Sequence, residues 1–334
     1  MSVAVIGMGS WGTAAAGLVA PHTDRVVAWA HSEAVCQGIN EAHRNPRYLV
    51  DYKLPQNVSA TSSLAEALEG AESALIVVPS SHLADVAKQM ADVVPDDLPI
   101  LVLTKGMEAE TGRLMTEVVA DALGHPERIA CLSGPNHAEE ICLGKVSAAV
   151  IASTTPEVAT YFQKLVLNPS FRAYITDDMV GVEVCGAVKN VIAIACGCAV
   201  GLDCGDNTLA VLMTRGLAEI SRIVASLGGD AMTCMGLAGM GDLVATCTSR
   251  HSRNRSFGEA FVHGMSLAAY EEKTHMVVEG ARAARSVWEL ACEKGIEAPI
   301  TSAVHAILYE GTPVEEAIST LLGRSPRVEF YGME

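Results

Sequence analysis

Lys189 stands alone among the cations of its region, with no other Lys or Arg between Arg172 and Arg215. It lies in the apolar stretch Val188 to Ala195. A lysine in a core is costly unless it is paired or used. Burial also eases loss of an ammonium's proton, which suits a group that gives and takes one. The plainer alternative is a lysine with a buried stem and a head at the surface. A second chemical signal is Gly7-Met-Gly9-Ser-Trp-Gly12, between a β-rich run, Val3 to Ile6, and a helical run, Thr13 to Ala20. In that context the spacing predicts a dinucleotide site. Gly7 permits the tight turn, Gly9 lets backbone approach a pyrophosphate and Gly12 lets helix and strand pack closely. The free amides that open the helix then bind the anion.

Further candidates lie elsewhere. Lys105 follows the strand-like run Ile100 to Leu103, where a lysine can serve an anion. Gly134-Pro135-Asn136 follows Arg128 to Leu132 as a plain turn or as part of a cleft. Asp242 and Thr246 fall four apart on one helix face; an N-cap is the simpler role for Asp242. Ser249 to Arg255 holds three arginines in seven residues. A solvated helix surface would explain them, but an anion site is the better reading in so acidic a chain. The ten histidines show no metal-ligand spacing, so no metal site is expected.

The elements that must position these residues fall into two groups. Strand-like runs at Arg25–Trp29, Val58–Thr61, Ala74–Val78, Ile100–Leu103, Arg128–Leu132 and Ala148–Ile151 alternate with helical patterns. That alternation predicts a parallel sheet with helices on both faces. From about residue 176 long helical patterns take over, at Met179–Leu202, Thr208–Leu227, Glu279–Lys294, Thr301–Tyr309 and Pro313–Leu322. The predicted fold is α/β, an N-terminal Rossmann-type doubly wound sheet (residues 1–176) followed by an all-helical C-terminal domain (177–334). Residues 41–57, with Pro46 and Pro55, read as a long irregular loop, an insertion or a partner surface. Around Lys189, the residues sharing its helix face (Cys185, Gly186, Ala193, Cys196) are small. They leave room for a substrate or for a close helix neighbour.

The end of the second strand usually carries an acid for the ribose 2′-hydroxyl. Here Ala30-His31-Ser32 has none, and Glu33 suits the first turn of a helix. The missing repulsion tilts the cofactor toward NADP, with use of both left open. The net charge of −16 argues against nucleic acid or an anionic membrane as partner. No stretch of about 18 apolar residues is free of charge, so no membrane span is expected. The chain opens directly on a strand pattern, so no secretory signal is expected. Ten cysteines without CxxC spacing fit a reducing cytoplasm.

Taken together, these segments resemble the NAD(P)-dependent glycerol-3-phosphate dehydrogenases of bacterial type. The resemblance runs in order through Gly7–Gly12, Thr104–Gly106, Ser133–Pro135, Gly181–Asn190, Asn207–Glu219, Gly236–Leu243, Ser252–Arg255 and Val277–Gly280. It implies reversible hydride transfer between NAD(P)H and dihydroxyacetone phosphate, giving sn-glycerol 3-phosphate for phospholipid synthesis. It makes Lys189 the catalytic acid/base, with Asp242 holding Lys189 or a substrate hydroxyl. Lys105, Gly134, Asn136, Ser252, Arg253 and Asn254 match substrate positions. Ser10, Trp11, His31, Lys105, Ala138, Arg253, Val277 and Glu279 match cofactor positions. The chain departs from the family at Asn136, where Ser or Thr is common, at His137, where Phe is common, and at His31, where Arg is common. A cytoplasmic homodimer is the family expectation. One rival is another two-domain reductase of the ketopantoate type, which does not require arginines to meet a phosphate. The other is a non-catalytic NADPH-binding regulator, which would tolerate Lys189→Met.

Overall fold

The computed structural model describes residues 1–108, 111–325, 328–329 and 331–332. The chain divides into two units, Met1–Thr104 with Met115–Met179, and Lys105–Leu114 with Val180–Glu334. The ten residues after Thr104 thus leave the first unit and belong to the second.

The first unit is built on eight strands: β1 (Ser2–Ile6), β2 (Arg25–Trp29), β3 (Val58–Thr61), β4 (Ser73–Ile76), β5 (Ile100–Val102), β6 (Ile129–Ser133), β7 (Ser147–Ala152) and β8 (Phe171–Thr176). They form one sheet in the order β3-β2-β1-β4-β5-β6-β7-β8. The first six run parallel, as the alternation predicts. The expectation of an all-parallel sheet needs a correction at β7, which pairs antiparallel to β6. A parallel return needs a crossover long enough to carry the chain back to its starting edge. The five-residue helix Ala138–Cys142 between β6 and β7 is too short for that. The 11-residue helix Pro156–Val166 does make such a return, and β7 and β8 are parallel. The sequence pattern passed over β8; its residues alternate between buried and exposed, and Tyr174 and Ile175 face out from this edge strand.

The central strands are near-continuous apolar runs because helices cover them. Val3, Ala4, Val5 and Ile6 are fully buried, with Leu75, Leu101, Phe162 and Phe171 in the same core. Strand order reverses between β1 and β4, and such a switch point is where open α/β sheets bind ligands, beyond the strands' carboxyl ends.

The second unit is helical. Its centre is the helix Met179–Gly201, of 23 residues. That helix is long and apolar enough to cross a membrane, but 83% of its apolar window is buried by the protein itself. It is a core helix, and it spans nearly the residues of the predicted pattern Met179–Leu202. Two close approaches explain its small residues. A Cβ on Gly197 would lie 2.0 Å from the Arg255 carbonyl oxygen, and one on Gly258 would lie 2.3 Å from the Ile194 carbonyl oxygen. The helix Arg253–Val262 therefore crosses it backbone to backbone. The helices Asp206–Ser226, Glu279–Lys294 and Pro299–His305 complete the packing. Glu219 is fully buried and accepts from the Ile300 and Thr301 amides at 2.8 and 2.9 Å and from the Thr301 hydroxyl. It thereby caps the start of helix Pro299–His305 from another helix.

Candidate active site

In the first unit, the turn after β1 has the geometry a pyrophosphate requires. Gly7 has φ +110°, which side chains rarely adopt. A Cβ on Gly12 would sit 1.8 Å from the Gly7 carbonyl oxygen, so only glycine lets the helix start this close. A Cβ on Gly9 would meet nothing within 4 Å. The space over Gly9 is open, and it lies at the start of helix Ser10–Val19, whose Gly9 N-cap position has no side-chain cap. Unsatisfied amides and the helix dipole favour an anion there. The Trp11 indole N–H is buried with no partner among the described residues. An open cradle, uncapped amides and an orphaned donor fit a dinucleotide.

The second-strand end also follows expectation. Ala30 is buried and His31 is exposed beyond β2, with no carboxylate between Trp29 and the helix Glu33–Ala42. Glu33 occupies that helix's first turn. Gly134, after β6, has φ +153°, and a Cβ there would lie 2.7 Å from the Ala149 Cα on β7. Its glycine is required by sheet packing, whatever else it does. Asn136 is half-buried in the same turn, and Ala138 is the buried first residue of helix Ala138–Cys142.

In the second unit, Lys189, Asp242 and Lys105 converge. Lys189 Nζ donates to Asp242 Oδ1 at 2.6 Å and to Thr246 Oγ1 at 2.8 Å. Lys105 Nζ donates to the other oxygen, Asp242 Oδ2, at 2.8 Å. Side-chain exposures are 6% for Lys189, 4% for Asp242 and 17% for Lys105. Lys189 is therefore a buried, paired amine, and the snorkelling alternative is excluded. Asp242 is no N-cap: Gly241 holds that position and Asp242 opens helix Asp242–Thr248, after a wide turn over Leu237–Gly241. The Thr246 hydroxyl donates to the Asp242 carbonyl at 2.6 Å, which leaves its lone pair for Lys189. The i, i+4 spacing already hinted at this role for Thr246.

Electrostatics follow from two ammoniums on one carboxylate. Burial pushes the Asp242 carboxyl up, but Lys105 and Lys189 together pull it below its usual value. Burial lowers the Lys105 ammonium to about 8, with Lys189 adding repulsion and Asp242 only partly opposing them. Two ammoniums therefore share one buried carboxylate. Paired ammoniums stand out in a chain of net charge −16. Of the small face around Lys189, Cys185 meets the Cys234 sulfur at 3.6 Å. Cys247, hydrogen-bonded to Cys196 and buried, is pushed well above the usual thiol value and is no nucleophile.

The arginine cluster separates. Arg255 pairs with Glu259 of its own helix at 2.7 Å, while its buried Nε has no partner among the described residues. Arg253 is exposed, with Nη1 3.5 Å from the Val277 carbonyl. Ser252 is buried and caps the helix, accepting from the Arg255 amide at 3.2 Å. Asn254 donates to Asn190 Oδ1 at 2.9 Å and accepts from the Gly280 amide at 2.9 Å, tying three helices together beside Lys189. Asn190 was not singled out from the sequence, although it adjoins Lys189. Glu279 stands in the first turn of helix Glu279–Lys294. No cluster of three metal-ligating side chains occurs among the described residues.

A glycine-turn sheet unit and a helical unit with a buried ammonium–carboxylate cluster define a dinucleotide-dependent oxidoreductase. The family model for the NAD-dependent glycerol-3-phosphate dehydrogenase N-terminus matches residues 2–159, and that for the C-terminus matches residues 178–319. The chain is 45% identical over 331 residues to the glycerol-3-phosphate dehydrogenase [NAD(P)+] of Corynebacterium glutamicum, covering 98% of this chain and 100% of that one. It is similar to the crystal structure of glycerol-3-phosphate dehydrogenase from Coxiella burnetii, with a TM-score of 0.92 and 38% identity over 97% of this chain and 99% of that chain. The chain belongs to the NAD-dependent glycerol-3-phosphate dehydrogenase family. A ketopantoate reductase from Ralstonia eutropha shares only the fold, at a TM-score of 0.57 and 16% identity over 96% of this chain and 100% of that chain.

Proposed function

We propose that the chain catalyses the reversible NAD(P)H-dependent reduction of dihydroxyacetone phosphate to sn-glycerol 3-phosphate, a phospholipid precursor. The observation that carries this reading is the Lys105–Asp242–Lys189 cluster, in which two ammoniums share one buried carboxylate. The bound nicotinamide supplies the hydride. Lys189 donates the balancing proton to the ketone oxygen, so C=O becomes CH–OH and the ammonium becomes an amine. In the reverse direction the amine takes the proton back. A cation beside a developing alkoxide in a water-poor site lowers its energy. Asp242 fixes the direction of one Lys189 N–H bond, and Thr246 fixes a second. Lys105 adds charge for an anionic substrate.

Arg253, exposed at the helix start, is assigned to the substrate's phosphate and to the cofactor. Ser252, Asn254, Gly134 and Asn136 are assigned to the substrate. Gly7, Gly9, Ser10, Trp11, Gly12, His31, Ala138, Val277 and Glu279 are assigned to the cofactor. The absence of an acid beyond β2 supports a preference for NADP over NAD. Residues 1–176 would bind the cofactor and 177–334 the substrate, with Lys105 acting alongside the latter. A cytoplasmic homodimer completes the reading, and sedimentation at micromolar concentration should give twice the chain mass.

The test is a substrate panel followed by absorbance of the reduced cofactor. Dihydroxyacetone phosphate should drive rapid oxidation, while unphosphorylated dihydroxyacetone and ketopantoate should not. Turnover of ketopantoate in preference would overturn the assignment.

A further inference from the structure

Asn45 lies in the irregular segment before β3 and is fully buried. All four of its side-chain hydrogen-bonding positions are used. Nδ2 donates to the Met8 carbonyl at 2.8 Å and to Thr13 Oγ1 at 2.8 Å. Oδ1 accepts from the Arg47 amide at 3.0 Å and the Tyr48 amide at 3.1 Å. Met8 is the residue between Gly7 and Gly9, and Thr13 is the fully buried residue just after Gly12. One amide group thus spans both limbs of the glycine turn.

The surroundings reinforce this clamp. The Tyr52 hydroxyl sits where a Cβ on Gly17 would be, 2.1 Å away, so the segment packs directly on the helix that follows the turn. Asn57 Nδ2 donates to the Ala20 and Thr23 carbonyls at 2.9 Å each, fastening the segment to the far end of that helix. A free surface loop has no reason to bury a saturated asparagine against a glycine turn. Glycine turns are intrinsically mobile, and an anion cradle works only if its amides are held in place.

We infer that Asn45 is a positioning residue for the cofactor: it holds the Met8 peptide and Thr13 so that the amides of the glycine turn converge on the dinucleotide pyrophosphate. This rests on the cofactor reading above. Segment 41–57 is then part of the cofactor site's framework rather than an insertion or a partner surface.

The experiment is a fluorescence titration of the full-length protein with NADPH, alongside steady-state kinetics and thermal melting without ligand. Asn45→Ala should raise the NADPH Kd and KM about tenfold or more, as expected when buried partners lose their bonds. At saturating cofactor, kcat and the KM for dihydroxyacetone phosphate should stay within about twofold, because the substrate cluster lies in the other unit. A purely structural role predicts a lower melting temperature with an unchanged NADPH Kd, and that result would overturn the inference. If Asn45→Ala does not fold, Thr13→Val decides: it removes one acceptor and keeps the shape. A Kd raised several-fold supports the inference, and an unchanged Kd overturns it. If wild-type protein binds neither NADPH nor NADH, the cofactor reading falls and this inference with it. If wild type binds and the variants bind equally well, only the Asn45 assignment falls.

Discussion

Lys105 and Lys189 donate to opposite oxygens of one buried carboxylate, at 2.8 and 2.6 Å. Both ammoniums draw on the same counter-charge. Asp242 is thus the part of the cluster that the fold can least spare. Asp242→Asn leaves two ammoniums facing a neutral amide, and should cost about 3–5 kcal/mol, as for other broken buried pairs. Lys105→Met leaves the Lys189–Asp242 pair intact and should cost far less. Urea unfolding of the two variants checks the order; equal losses would contradict it.

The depressed Lys105 value gives a pH dependence. An ammonium lowered from 10.5 to about 8 in the folded protein loses its charge as pH rises through about 8. The charged form is disfavoured by folding, so Lys105 opposes stability below pH 8, and that opposition fades between 8 and 10.5. Substrate binding should run the other way, with KM for dihydroxyacetone phosphate rising above pH 8. Lys105→Arg stays charged and should abolish that rise. A KM profile identical in wild type and Lys105→Arg would count against the role.

Gly9 and Gly12 should separate binding from folding. Gly9→Ala adds a methyl group into open space, so the melting temperature should hold while NADPH affinity falls about tenfold or more. Gly12→Ala drives a Cβ to 1.8 Å from the Gly7 carbonyl oxygen and should compromise the fold itself. Melting curves and NADPH titrations of the two variants distinguish these effects.

Glu219 makes a structural prediction away from chemistry. Its carboxylate is the partner of two backbone amides and the Thr301 hydroxyl in a fully buried setting. Glu219→Ala should destabilise the protein by about 2–4 kcal/mol, the scale for orphaned buried donors. KM values of the folded fraction should not change. A shifted KM with unchanged stability would mean that Glu219 serves the site.

Local chemistry was the most legible part of the sequence. Gly7 and Gly12 are legible from spacing because each is a steric demand of one short turn, whereas Gly9 only leaves open space above it. Lys189 was visible because a charge in an apolar run breaks a pattern. The antiparallel β7 was hidden, since direction depends on how far the crossover carries the chain, not on strand composition. Arg255 counted toward an anion site in the sequence, and the fold adds a pairing with its i+4 neighbour Glu259 that composition alone does not show. Asn45 was illegible because an asparagine before a proline reads as a turn; only the fold shows that it reaches back 37 residues to Met8.

The central claim is that Lys189 supplies the proton for ketone reduction. Single-turnover oxidation of bound NADPH by dihydroxyacetone phosphate, compared between wild type and Lys189→Met, tests it most directly. Lys189→Met should keep cofactor affinity within about twofold while the single-turnover rate falls by about 10²–10⁴. A Lys189→Met protein that oxidises NADPH at the wild-type rate would contradict it.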